Sequence, residues 1–265
     1  MEPSLTDTMP TPQPIACALV ASGKYHDIDF ARLELLKLLG EDERVRVRVF
    51  EDYSNLEAIR AADFLVSYTC DVVPSLEQQE ALRAWLEDGG RWYALHGTNS
   101  ILRFTAEGVD APDWAPHFME TLGSRFVSHP PIEPYRVEVA QPGHPLVKGI
   151  EPFDSTDELY LMKRYGELDV LLDCEFGGET KGFTQKDWPH DRHPVFYLKR
   201  VGQGAVLYLT LGHCRGHFDM RPLMPYWPTV DRGSWDLPVF HQLLRRGLAW
   251  AKEPAFGANA ERAVA

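Results

Sequence analysis

The sequence is poor in cysteine, in basic residues and in long apolar runs, and each shortage excludes a class of protein. Four cysteines occur among 265 residues, and none forms a CxxC pair of the kind found in zinc ribbons or redox motifs. The 27 Lys and Arg residues are outnumbered by 39 Asp and Glu, so the formal net charge is -12. Binding to nucleic acid or to an anionic membrane needs clustered basic residues, and we expect neither partner.

The start of the chain also lacks a feature, because residues 1–14 are polar and proline-rich and contain no apolar segment of a signal peptide. No later run is apolar enough to cross a bilayer. We therefore expect a cytoplasmic protein. Its cysteines are expected to be reduced and mostly buried: Cys17, Cys70, Cys174 and Cys214.

Apolar strands and amphipathic helices alternate over the first hundred residues. Three helical patterns separate four strand-like runs, at residues 15–22, 45–49, 64–68 and 91–95. Val45, Val47 and Val49 alternate with arginines, which predicts an edge strand, and Ser75 with Gln78 has the spacing of a capping box. The order β-α-β-α-β-α-β predicts an α/β fold with a mostly parallel sheet, whose sites gather at the carboxyl ends of the strands.

The second half is less regular. Prolines punctuate residues 108–194, which predicts loop-rich insertions with short strands near residues 135–139 and 170–176. A hairpin at 195–209 turns at Gly202-Gln203-Gly204, and a helix at 238–250 follows an aromatic loop that we expect to pack over the site. With 44% hydrophobic content, the chain is expected to form one domain over residues 15–252, between a disordered tail at 1–14 and a flexible tail at 253–265.

His96 is the strongest candidate for a functional residue. The apolar strand that precedes it ends in His96-Gly97 and passes into polar residues, the pattern of a strand-turn-helix corner. A histidine there could be an acid, a base or a metal ligand, or it could cap a helix or belong to the core. In acyl-transfer enzymes with such a corner, a Ser or Cys nucleophile takes this place.

Two other strand ends carry histidines. His213 follows the second strand of the hairpin, and it is a better candidate than His217 because nearby glycines indicate a loop. His26 and Asp27 follow the first strand, where they could bind a sugar hydroxyl or join a metal site, although Asp27 could equally cap the next helix. The remaining histidines at 117, 190, 193 and 241 are interpreted as surface or packing residues.

The order of these motifs resembles the ThuA-like family, named for trehalose utilisation and related to the class I glutamine amidotransferase-like fold. The resemblance covers roughly residues 15–252. Its motifs are His26-Asp27, His96-Gly97, Ser128-His129-Pro130, the run from His144 to Ile150, Asp157-Glu158-Leu159-Tyr160, Pro194-Val195, Gly202-Gln203-Gly204 and Leu211-Gly212-His213.

The resemblance implies a flavodoxin-like three-layer sandwich and a role in sugar metabolism, often beside oxidoreductases that make keto-sugars. It also implies site roles for Glu158, which could orient a histidine or take a proton, and for His129 as a substrate-binding residue. In amidotransferase relatives the corner holds a Cys nucleophile, with a His and a Glu on a later loop. Here His96 takes the corner and His213 approximates the later histidine, so glutamine hydrolysis is not expected.

Two classes of function remain open. In the first, a carbohydrate-active enzyme uses His96 and His213, with Glu158 or Asp27, to move protons on a sugar or keto-sugar, by isomerisation or hydrolysis. A variant has His26, His96 and His213 bind a divalent metal such as Zn²⁺, although no compact ligand motif is present. In the second, the chain is a non-catalytic sugar-binding or partner-binding protein. The sequence also leaves a homo-oligomer open.

Overall fold

The computed structural model of this protein describes residues 12–253. The tails predicted at 1–14 and 253–265 lie outside the described residues, apart from residues 12–14 and 253. Within the described part, no helix is long and apolar enough to cross a membrane.

A nine-stranded sheet runs through the centre of the fold. Its strands are β1 (Ile15–Gly23), β2 (Val45–Phe50), β3 (Phe64–Cys70), β4 (Arg91–Leu95), β8 (Glu133–Val139), β9 (Phe153–Asp157), β11 (Asp169–Glu179), β12 (Asp187–Val201) and β13 (Gly204–Leu209). They lie in the order β2-β1-β3-β4-β13-β12-β11-β8-β9. The neighbouring pairs from β2 to β13 are parallel, and the pairs from β13 to β9 are antiparallel.

Helices cover both faces of the parallel part. On one face, α1 (Ile28–Leu39) and α5 (Pro238–Lys252) share a core with the sheet. On the other face lie α2 (Leu56–Arg60), α3 (Leu76–Glu87) and α4 (Pro116–Leu122). This confirms the predicted α/β fold of three layers. Two small hairpin-like pairs complete it: β5 (Arg103–Thr105) with β6 (Gly108–Asp110), and β7 (Ser124–Ser128) with β10 (Leu161–Arg164).

Several sequence predictions hold in detail, and two need correction. The strand β2 does lie at the edge of the sheet, and the hairpin of β12 and β13 turns where expected. The corner after β4 is not a strand-turn-helix, because His96–Asn99 forms a single 3₁₀ turn and the chain then enters β5. The inserted region is also richer in strands than expected, and β12 alone spans 15 residues.

The capping box predicted for α3 is present, and it offers a test of this helix. The Ser75 hydroxyl accepts from the Gln78 amide at 3.3 Å, while the Gln78 side chain accepts from the Ser75 amide at 2.9 Å. We expect Ser75→Ala to lower the free energy of unfolding by about 1 kcal/mol. Glu80→Ala, an exposed change within the same helix, should stay within about 0.5 kcal/mol. Urea denaturation of both variants measures the difference, and equal values would contradict it.

Candidate functional site

Three histidines meet at one edge of the sheet because parallel strands end there together. His26 follows β1, His96 follows β4 directly, and His213 lies four residues beyond β13. The hydroxyl of Tyr208 holds the His96 corner, since it donates to the His96 carbonyl at 2.6 Å and accepts from the Asn99 amide at 2.9 Å. The three histidines therefore converge in the fold, which their spacing in the sequence could not show.

The backbone is strained at this same edge. Among the described residues, the non-glycine residues with positive φ are Tyr25 at 68°, Asp71 at 60° and His96 at 42°. They follow β1, β3 and β4, so each lies beside the site. Such conformations cost on the order of 1–3 kcal/mol each and persist where the surrounding structure holds them. The strain supports a functional role for the side chains that it positions.

Glu158 reaches the histidines from the opposite, antiparallel edge of the sheet, because its neighbour Asp157 ties β9 to the loop after β13. The Asp157 carboxylate accepts from the amides of Gly212 at 3.0 Å and His213 at 3.1 Å. It also accepts from the Ser234 amide at 2.9 Å and the Ser234 hydroxyl at 2.6 Å. These bonds place Glu158 within the histidine cluster.

The cluster of His26, His96, His213 and Glu158 is compact and buried. The Nε2 atoms of His26 and His96 are 2.9 Å apart. Glu158 Oε2 lies 3.5 Å from His96 Nε2 and 3.7 Å from His26 Nε2. Glu158 Oε1 lies 3.1 Å from His213 Nδ1. One carboxylate therefore contacts all three imidazole rings.

Burial and charge set the protonation of this cluster. Burial lowers the pKa of His26 to about 3 against the attraction of Glu158, so this ring is neutral near pH 7. Burial alone would lower the pKa of His213 as well, but the negative charges of Glu158 and Asp231 raise it to about 9. Burial opposes ionisation of Glu158, yet His213 and His129 hold the pKa of its carboxyl well below the usual range.

A cavity of about 210 Å³ opens above the cluster. His26 and Glu158 lie on its wall, whereas His96 and His213 lie behind them with 0% of their surface exposed. Aromatic rings and a few polar groups form the rest of the lining, which includes Tyr25, Phe104, Phe126, Phe183, Tyr160, His129 and Arg215. A small molecule in this cavity would contact His26 and Glu158 before it reached the other two histidines.

Of the other candidate residues that the sequence analysis considered, one lines the cavity and two lie outside it. His129 lines the cavity, with Nε2 3.6 Å from Glu158 Oε1. Asp27 does not line it: its side chain caps α1 by accepting from the Phe30 amide at 3.1 Å, and its other oxygen pairs with Arg232 at 3.1 Å. His217 contacts the Trp227 carbonyl at 2.7 Å, outside the cluster.

Two polar residues of the site were missed by the sequence analysis. Arg215 donates to Glu158 Oε1 at 3.4 Å, and it also donates to the Tyr25 carbonyl at 3.0 Å. The Tyr160 hydroxyl lies 3.3 Å from His96 Nε2. Tyr160 closes the motif Asp157-Glu158-Leu159-Tyr160, and Arg215 stands two residues after His213; these positions are the signals that could have indicated them.

The comparisons with known proteins agree with the fold. A model of the ThuA family, described as trehalose utilisation, matches residues 18–224. A ThuA-like protein from Parabacteroides merdae is similar in structure, with a TM-score of 0.65 and 17% identity over 91% of this chain and 90% of its own. A second from Bacteroides uniformis has a TM-score of 0.63 and 17% identity, over 92% of this chain and 95% of its own.

A more distant similarity extends to a larger enzyme. The β-galactosidase from Rahnella sp. R3 aligns with a TM-score of 0.51 and 14% identity, over 89% of this chain but 31% of its own. At such identities the likeness concerns the fold alone. The comparison with curated proteins found no significant match.

Proposed function

The chain belongs to the ThuA family, and on that premise we propose that it is an enzyme that moves protons on a sugar or keto-sugar. The family description, trehalose utilisation, supports a carbohydrate-related role. Isomerisation and hydrolysis both need a group that takes a proton from the substrate or gives one to it. The cavity above the histidine cluster is the place where such a group meets a small molecule.

One observation carries the proposal: His26, Glu158 and His129 lie on the wall of an aromatic cavity, and the buried His96 and His213 contact Glu158 behind it. Burying that many ionisable groups together is costly for a protein that needs them only for packing. Strained backbone at Tyr25, Asp71 and His96 adds to that cost. Both features are typical of sites where chemistry, rather than stability, determines the residues.

His129 is the residue best placed to exchange a proton with the substrate. Its Nδ1 contacts the Pro130 carbonyl at 2.6 Å, and because a carbonyl only accepts, Nδ1 carries the proton. Its Nε2, 3.6 Å from Glu158 Oε1, is therefore the ring nitrogen left to exchange a proton. The side chain is 22% exposed, unlike those of His96 and His213. This assigns direct acid–base work to His129 and a supporting role to the two buried histidines.

The aromatic lining suits a sugar ring. The ring of Phe183 lies 4.9 Å from that of His129, and Tyr25 lies 5.2 Å from Phe104. Flat apolar faces can stack against the C–H face of a sugar, while Arg215, His129 and Glu158 can bond its hydroxyls. An apolar wall with a few convergent polar groups is the usual composition of a small-molecule site.

Glutamine hydrolysis through a thiolate has no support in this site. The corner position holds His96, and burial raises the pKa of the Cys70 thiol well above its usual range. Burial also raises the pKa of Cys214 to about 12. Both cysteines are therefore protonated near pH 7 and poor nucleophiles.

Solvent exchange tests the proposal whatever the final product is. The protein is incubated in D₂O with trehalose, glucose and their keto derivatives, and NMR follows both deuterium uptake beside the keto group and any new sugar. We expect exchange or turnover with at least one of them, and His129→Ala should slow it by about 10²–10⁴-fold.

His117→Ala serves as the matched control, because His117 is exposed and outside the cavity. It should leave the rate unchanged. Binding of a sugar by wild-type protein with neither exchange nor turnover would replace the enzyme by a sugar-binding protein. Absence of binding and of chemistry with every sugar would overturn the carbohydrate role of the site.

A further inference from the structure

Two of the three clustered histidines, His26 and His96, present ring nitrogens with lone pairs toward each other. His26 Nδ1 contacts the Lys24 carbonyl at 3.2 Å, and His96 Nδ1 contacts the Thr210 carbonyl at 2.7 Å. Carbonyls only accept, so each Nδ1 carries the proton and each Nε2 is left with its lone pair. The Tyr160 hydroxyl can donate to His96 Nε2. The Nε2 atoms of His26 and His96 nevertheless face each other at 2.9 Å, each with a lone pair. Two lone pairs at this distance repel each other unless a cation binds to both nitrogens.

The third ring is also without a hydrogen bond. Neither nitrogen of His213 has a hydrogen-bond partner among the described residues, although the ring is fully buried. Nδ1 lies 3.1 Å from Glu158 Oε1 without forming a hydrogen bond to it. Nε2 lies 4.0 Å from Asp231 Oδ2. A buried ring with two unbonded nitrogens is costly unless something absent from the protein chain satisfies it.

The four side chains stand at the spacing of metal ligands. Ligands about 2.0–2.1 Å from a tetrahedral ion lie about 3.3–3.4 Å from each other. The closest separations within the cluster are 2.9, 3.1, 3.5 and 3.7 Å, and all four ligand atoms lie within 4.8 Å of one another. The rings of His96 and His213 are inclined to that of His26 by 74°, so they surround a common point instead of stacking.

We infer that His26, His96, His213 and Glu158 bind a divalent transition metal ion of the Zn²⁺ type. Three imidazoles and one carboxylate suit Zn²⁺ or its neighbours in the first row, whereas Mg²⁺ and Ca²⁺ prefer oxygen ligands throughout. The carboxylate offsets part of the charge of the ion. His129 is not among the ligands, so its proton transfer is compatible with a bound ion.

A second layer of contacts supports the assignment. Metal-bound histidines donate their other ring N–H to a carbonyl or carboxylate, which sets the tautomer and the ring direction. Lys24 and Thr210 supply carbonyls to His26 and His96, and Asp231 lies beyond the far nitrogen of His213. Each of the three histidines therefore has an outer oxygen on the side away from the cluster.

The site opens toward the cavity over His26 and Glu158, which line both. With four protein ligands in place, a sugar hydroxyl or keto oxygen in the cavity would reach the ion as a fifth ligand, an expansion that catalytic zinc sites allow. The purpose of the ion rests on the proposed function, since polarising a substrate oxygen makes the neighbouring proton easier to remove. Its presence, however, is tested by binding alone.

Metal content and metal binding give the test. The protein is purified without a histidine tag and analysed for metals, then stripped with a chelator and titrated with Zn²⁺ against a chromophoric competitor. We expect about one ion per chain, and weakening of at least about 100-fold in His96→Ala and His213→Ala. The control is His193→Ala, because His193 is another buried histidine, packed between Phe176 and Trp188 away from the cluster; it should bind as wild type does.

Co²⁺ keeps the test decisive if an alanine variant is poorly folded. Stripped wild-type protein should give the visible absorption of four-coordinate Co²⁺, and Glu158→Gln, which preserves side-chain volume, should change its intensity and wavelength. Stripped wild-type protein that binds neither ion at micromolar concentration would overturn the inference, as would ions retained by both alanine variants.

Sugar chemistry undiminished in metal-free protein would overturn the purpose given to the ion and leave the proposed function standing. A bound ion without any sugar chemistry would support the metal site and overturn the proposed function.

Discussion

Replacing Asp157 by alanine is expected to lower the free energy of unfolding by about 3–5 kcal/mol. Asp157 is 1% exposed, and its carboxylate accepts from the amides of Gly212, His213 and Ser234 and from the Ser234 hydroxyl. It also accepts from the Glu158 amide at 2.8 Å. Removing it leaves several buried donors without an acceptor, and each unsatisfied group costs about 1–3 kcal/mol.

The loss should reach the site as well as the fold. Without Asp157, the loop at 212–215 loses the bonds of its Gly212 and His213 amides to the end of β9, so Glu158 and His213 lose their relative position. The segment at 233–236 keeps the bond between the Ser155 and Ser234 hydroxyls at 2.8 Å. Asp157→Asn keeps one carbonyl oxygen and should fall between alanine and wild type. Asp154→Ala, an exposed change in the same strand, should stay within about 0.5 kcal/mol. Urea denaturation followed by tryptophan fluorescence measures all three.

A loss below about 1 kcal/mol in Asp157→Ala would contradict the argument, because a single ordinary hydrogen bond is worth that much. It would mean that other contacts hold the loop in place. The supporting role of Asp157 for Glu158 would then have to be abandoned.

Glu158→Gln is expected to reduce proton exchange on a keto-sugar by about 10²–10⁴-fold. Glu158 is the carboxylate that contacts His26, His96, His213, His129 and Arg215, and it lines the cavity. The amide of glutamine keeps the size of the side chain but removes its negative charge. Substrate groups and ring nitrogens that depend on that charge lose their partner, so the rate falls while the fold remains.

The same variant gives a second readout that does not depend on turnover. In metal-free protein the attraction of Glu158 is one cause that raises the pKa of His213 to about 9, so Glu158→Gln should lower this pKa. A raised histidine pKa stabilises the folded state at pH below the unfolded value of about 6.5, and this contribution is lost as pH rises through about 9. The decline of stability over that range should be shallower in the variant.

NMR titration of the histidine rings and denaturation at several pH values measure these changes. Glu175→Gln is the control, because Glu175 lies on β11 with its side chain 53% exposed and paired with Arg192. It should change neither the rate nor the pKa of His213. An unchanged rate in Glu158→Gln would show that the carboxylate has no part in the chemistry, and an unchanged His213 pKa would show that the two groups do not interact.

Much of the fold follows from local patterns. The alternation of apolar strands with amphipathic helices predicted the parallel half of the sheet, because periods of 2 and 3.6 residues report which face of each element is buried. The alternating arginines of β2 predicted an edge strand for the same reason. The spacing of Ser75 with Gln78 predicted a capped helix, because these two side chains can bond each other's backbone amides. The strand-rich insertion was less predictable, since short strands depend on distant partners for pairing.

The candidate site, like the fold, was predictable from the sequence only in part. The positions of His26, His96 and His213 at strand ends were determined by sequence, because the carboxyl ends of neighbouring parallel strands necessarily meet at one edge. Asp27 shows the limit of that reasoning: it lies at the same edge, but its side chain turns to cap α1. Whether a side chain at a strand end faces the cavity depends on local hydrogen bonds that compete for it.

The sequence by itself thus determined the layers of the fold and the edge of the sheet at which the histidines lie, because both depend on short-range periodicity. Only the tertiary structure decided that Glu158 joins them from β9, that His129 and not His96 faces the cavity, and that Arg215 and Tyr160 belong to the site. The contacts of Glu158 with His213 and Arg215, and of Tyr160 with His96, join segments more than fifty residues apart. The contacts of Glu158 depend on how the loop after β13 is held by Asp157, and no local pattern reports contacts between segments so far apart in sequence.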